Sequence, residues 1–169
     1  MTEAVSPTPE RTTVLLDGVT SPSLTLTEAL LPDSRYEIVE VIGTGRQIGE
    51  DVGWMLGYGT IGLRVTSRSA ARSTRADVCV FTAGDDAEDL LARAHWAFER
   101  QMDVLVLAIS EVADSRQDPG MAELHEAAIA AERTVAFADV EMREDRRANT
   151  LTQAMSAIQS AQHGLAINP

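Results

Sequence analysis

Two runs in this chain read as strands without alternation, Asp77–Phe81, apolar from Val78 on, and the VLVLAI of residues 104–109. A strand with one wet face alternates apolar and polar residues, whereas a run without alternation is covered on both faces. Each run leads into a stretch with apolar residues at helical spacing. Leu90, Leu91, Ala94, Ala97 and Phe98 mark residues 86–101, and Met121, Leu124 and Ala128 mark residues 121–132. The chain is therefore expected to be α/β: a three-layer parallel sheet with helices on both faces, Rossmann-like or flavodoxin-like in topology.

The rest of the chain continues the alternation. Short strands are expected at 12–17 and 61–66, a firmer one at 37–42 and a last one at 134–138. Helices are expected at 23–31, with Ser23 as N-cap and Pro32 ending it, and at 47–58, with Ile48, Val52, Met55 and Leu56 on one face. A closing helix at 146–162 carries Leu151, Met155 and Ile158 on one stripe. Residues 1–11 read as a flexible polar tail, and 12–165 as a single domain of ordinary size.

Charge narrows the function classes. The formal net charge is -12, and all 14 basic residues are arginines. Such a surface repels nucleic acid and anionic membranes, so neither is an expected partner. No run reaches the ~20 apolar residues of a membrane span, and the N-terminus has no secretory pattern, so a cytoplasmic location is expected. Cys79 is the single cysteine and sits within an apolar run, which favours an inert core thiol. With His95, His125 and His163 scattered singly, no metal site and no cofactor are expected.

Two junctions carry the candidate site. In YEIVEVIGTGRQ (36–47) an apolar run stops at Gly43-Thr44-Gly45 and feeds a helical pattern. Glycines allow a ligand to approach, the helix start offers free N–H groups, and Thr44, Arg46 and Gln47 add polar side chains, so this turn reads as an anion cradle. The second junction, ADVCVFTAGDD (76–86), places Thr82 and Gly84 where they would line the same pocket. Asp85 and Asp86 read first as helix N-caps, and as general bases if the pocket does chemistry.

The order and spacing of these pieces resemble the sugar isomerase (SIS) domain, above all in VIGTGRQIGEDVGWMLGYGTIGLRV and RADVCVFTAGDDAEDLLARAHWAFERQMDVLVLAIS. The resemblance is strongest over 36–110 and nearest to the small hexulose-phosphate isomerases. It implies an anionic sugar-phosphate ligand, an aldose–ketose isomerisation through an enediol, Asp85, Asp86 and Glu88 as acid–base candidates, and a homo-oligomer. The 146–162 stripe would be its contact surface. The family's phosphate-gripping hydroxyls would fall on Phe81, Ala83 and Asp86, and Gln47 stands where serine is usual. A second reading is accordingly a degenerate SIS-fold regulatory or assembly partner. A third is an NAD(P)-binding Rossmann module, in which Gly43-x-Gly45-x-x-x-Gly49 imitates the glycine fingerprint and Arg68 meets a 2′-phosphate.

Overall fold

The computed structural model describes residues 11–57, 62–73, 75–83, 87–109, 119–140 and 147–167. Strands and helices alternate through them: β1 (Thr12–Asp17), α1 (Ser21–Leu30), β2 (Tyr36–Ile42), α2 (Val52–Leu56), β3 (Val65–Thr66), β4 (Val78–Thr82), α3 (Ala87–Glu99), β5 (Asp103–Ile109), α4 (Pro119–Ala130), β6 (Val135–Val140) and α5 (Arg147–Ile167). Single 3₁₀ turns occupy Gly45–Gln47 and Ala70–Ser73.

All six strands join one parallel sheet in the order β3-β2-β1-β4-β5-β6. The chain builds outward from β1 to β3, crosses back, and then builds the other way from β4 to β6. That is the doubly wound Rossmann order, and its switch point lies between β1 and β4. Val14 pairs with Val78 there, and Leu16 with Val80.

The unbroken apolar runs divide residue by residue between two layers. Val14, Leu16, Val78, Val80, Leu105 and Leu107 join Leu26 and Leu30 of α1 and Leu151, Met155 and Ile158 of α5. Their neighbours Leu15, Cys79, Phe81, Val104 and Val106 join Ala94, Ala97 and Phe98 of α3 and Leu124 and Ala128 of α4. Period-2 side-chain alternation in strands covered on both faces produces this three-layer core. Each fully buried Leu, Phe or Met contributes roughly 1.5–3 kcal/mol from removal of its surface from water.

Three expected elements are corrected. The first helix begins at Ser21 and not at Ser23, because Thr20 caps it: Thr20 Oγ1 accepts from Ser23 N at 3.3 Å and Thr20 N donates to Ser23 Oγ at 2.8 Å. The expected helix 47–58 is a 3₁₀ turn followed by a break and the short α2. Gly49 at φ +88° donates to Val65 O, and Glu50 O accepts from Val65 N, so these amides serve the sheet edge. Asp51 then caps α2 through Gly53 N at 2.7 Å, and Gly57 closes it at φ +76°. Within the expected strand 61–66, β3 is confined to Val65–Thr66, while Ile61 lies outside the described residues.

The apolar stripe assigned to subunit contact is also corrected. Leu151, Met155 and Ile158 are filled by the chain's own sheet and α1, so they form core and present no free face. Among the described residues, no helix is long and apolar enough to cross a membrane.

Candidate functional site

An open α/β sheet binds ligands beyond the carboxyl ends of its strands at the switch point. A cleft of about 660 Å³ lies there. It is bordered by the β1–α1 turn (Asp17–Thr20), the β2 turn (Ile42–Gln47), the segment after β3 (Ser67–Ser69), and Asp89 and Arg93 of α3.

The β1–α1 turn was not singled out from sequence. Aligned with the G-x-G-x-x-G pattern, Gly18-Val19-Thr20-Ser21-Pro22-Ser23 keeps the first glycine, at φ +124°. Thr20 and the buried Ser23 take the second and third places. One glycine and a Thr-x-x-Ser capping pair were the available signal, and the richer glycine turn after β2 obscured it.

The donors of this turn are largely consumed. Gly18 N donates to Ile42 O, Leu24 N to Thr20 O, and the Thr20 and Ser23 amides to the capping pair. Pro22 has no N–H. Val19 and Ser21 keep N–H groups without a partner among the described residues. Across the switch point, the Thr20 and Thr82 hydroxyls are 2.6 Å apart, so the β1 and β4 turns are tied.

The charges inside the cleft are matched in pairs. Asp17 is 1% exposed and receives Arg68 Nη2 on both oxygens, at 2.6 and 2.7 Å. The Arg68 guanidinium also lies 5.5 Å from the Trp96 ring, whose face carries Arg100 at 4.1 Å. Arg93 Nε stands 2.9 Å from Asp89 Oδ2 as an ion pair without a hydrogen bond of good angle. Among the described residues, both acids that border the cleft thus face a guanidinium.

The expected cradle residues gather, although not before a helix. Gly43, Thr44, Gly45 and Gln47 line the cleft, while Arg46 is exposed and is not among the lining residues. Gln47 clips two turns together: its Oε1 accepts from Thr44 N at 3.3 Å and its Nε2 donates to Val19 O at 3.2 Å. Gly43 is required by packing, since a Cβ there would collide with Val65 Cγ1 and lie 3.1 Å from Gln47 Cβ. Thr82 stands beside Thr20 and is not among the residues that line the cleft. Gly84, Asp85 and Asp86 lie outside the described residues, and Glu88 is in α3 with its side chain outside them. His95 and His125 are exposed on α3 and α4. Cys79 is fully buried in β4, where desolvation first, and the Asp17 charge second, push its thiol above the usual range.

No family model matches the chain, and no curated protein matches it. Solved structures do. An amine dehydrogenase from Mycobacterium smegmatis superposes with a TM-score of 0.57 at 20% identity, over 78% of this chain and 39% of that one. A biliverdin reductase from Synechocystis, solved with biliverdin and NADP+, gives 0.55 at 15% identity over 78% of this chain and 38% of that one. An oxidoreductase from Agrobacterium radiobacter, solved with NAD+, L-tartaric acid and magnesium, gives 0.56 at 12% identity over 76% and 35%. The chain spans less than two fifths of each of these proteins.

At such identities the likeness establishes the fold, a Rossmann-type α/β fold. It also overturns the sugar isomerase resemblance and with it the phosphosugar-binding, isomerase and degenerate-SIS readings, since the neighbours are oxidoreductases. The physical reason lies in the strand order. The resemblance took residues 36–42 as the strand that feeds the main ligand turn, but β2 lies one place away from the switch, and β1 and β4 flank it.

Proposed function

We propose that this chain is a nucleotide-binding Rossmann module that takes a nicotinamide dinucleotide, NAD(P), in the cleft over β1 and β2. The observation that carries this reading is the position of the cleft at the β1/β4 switch point of a sheet ordered β3-β2-β1-β4-β5-β6. Its volume, about 660 Å³, is within the usual range for a small-molecule pocket. Gly18 supplies the tight turn that starts the phosphate loop, and the cleft is bordered by the start of the ten-residue α1, whose dipole favours an anion.

In this reading each part of the cleft takes a role by its position. The Val19 and Ser21 amides, which have no partner among the described residues, are assigned to the pyrophosphate at the α1 start. The β2 turn and the Ser67–Ser69 segment border the place of the adenosine. In the proposed complex the chain binds and orients the cofactor, and the nicotinamide ring supplies hydride chemistry when bound.

Calorimetric titration of the full chain with NADP+ and with NAD+ tests the reading. One saturable site for either dinucleotide is expected, with a change in Trp96 emission because Trp96 lies under Arg68. Absence of saturable heat with both dinucleotides at millimolar concentration would remove the proposal.

A further inference from the structure

We infer that the cleft selects a dinucleotide carrying a 2′-phosphate, and that this phosphate is read at the rim between the β2 and β3 turns. The inference rests on the dinucleotide reading above and specifies its ligand.

Three observations converge on that rim. First, NAD-binding sheets place an acid near the end of β2 to hold the ribose 2′-hydroxyl, and that acid repels a phosphate. Here the position after β2 is Gly43, and the collision of any Cβ with Val65 Cγ1 keeps an acid out. The nearest acid on β2, Glu40, accepts from Thr66 Oγ1 at 2.9 Å.

Second, hydroxyls collect at this edge. Gly43 N donates to Thr66 O, which sets the Thr44 turn beside Ser67 and Ser69. The two serine hydroxyls are 3.1 Å apart, and Thr44, Ser67 and Ser69 all line the cleft. A phosphate monoester has three acceptor oxygens, and hydroxyl donors of this kind satisfy them.

Third, the charges single out Arg46. Arg68 follows β3 and was the sequence choice for a 2′-phosphate, but it is committed to the buried Asp17. Arg93 faces Asp89. Arg46 is exposed between the lining residues Gly45 and Gln47, and no acid among the described residues pairs with it. In a chain of net charge -12, an exposed guanidinium with no described acid paired to it, in the same turn as the lining residue Thr44, is the cation the turn can offer a phosphate.

The α1 turn complements this assignment. With two free amides and a buried carboxylate at its base, it is a sparing anion site, so a phosphate held at the opposite rim becomes the main electrostatic anchor.

Parallel calorimetric titrations with NADP+ and NAD+, on the native chain and on Arg46→Ala, test the inference. NADP+ is expected to bind at least tenfold more tightly than NAD+ to the native chain. Arg46→Ala is expected to weaken NADP+ about tenfold and bring the two affinities within threefold of each other. Competition by 2′-AMP stronger than by 5′-AMP supports the same rim. Equal affinities for the two dinucleotides in the native chain would overturn the inference while leaving the dinucleotide reading intact, and so would an Arg46→Ala chain that keeps its preference. Failure of both dinucleotides to bind would overturn both.

Discussion

Arg68→Ala is expected to destabilise the fold far more than a surface ion pair ordinarily does. The reason is the inequality of the partners: Asp17 keeps 1% of its surface, while the Arg68 side chain is 37% exposed. Removal of one member of a buried pair costs roughly 3–5 kcal/mol because a charge is stranded. The exposure of Arg68 argues for the lower end, about 3 kcal/mol, with the lost Trp96 contact included at about 0.5–1 kcal/mol. Asp17→Asn should cost only about 1 kcal/mol, because the guanidinium left behind reaches water.

Urea denaturation of both single variants and the double variant measures this, with the midpoint shifting at constant slope. A cycle coupling on the order of 1–2 kcal/mol is expected. Equal costs for the two single variants would show that Asp17 is hydrated and that the buried-charge argument fails.

Other expectations follow from single contacts. Gly43→Ala forces a methyl against Val65 Cγ1 and should cost about 1–3 kcal/mol by overpacking, together with loss of dinucleotide affinity; thermal melting and calorimetry check the two effects. A native-like melting temperature in that variant would show that the β2 turn yields freely. The Cys79 thiol, raised by burial above its ordinary 9.0, should resist thiol reagents until the chain unfolds. Because the unfolded chain ionises first, stability should decline above pH 9.0 with a contribution of up to about 1.4 kcal/mol per pH unit, and Cys79→Ala should remove that contribution. Rapid labelling of the folded chain at pH 8 would contradict it.

The fold class and the candidate site were not equally legible in the residues. Val78–Phe81 and Val104–Ile109 declare strands covered on both faces, since a residue's burial requirement is written in its own side chain. The helices 86–101 and 121–132 are equally local, and α3 and α4 follow them to within a few residues. The glycines around Thr44 were visible as a turn at a strand's carboxyl end because a strand ending in glycine is a local pattern too.

Sequence order alone did not decide which strands are neighbours. The β2 turn looked like the principal phosphate loop until the sheet order set β1 and β4 at the switch point, with the single-glycine turn at Gly18 between them. Gly49 and Glu50 carried a helical pattern, but Val65 claimed their backbone groups for the sheet edge. Arg68 looked free in the sequence; the fold brings it 51 residues back along the chain to Asp17. The stripe of α5 could have met another subunit, yet the sheet and α1 fill it. Periodicity and turn chemistry are properties of adjacent residues and can be read along the chain. Strand order, the pairing of distant charges and the partner of an apolar face depend on how separated segments meet, and only the tertiary structure decides them.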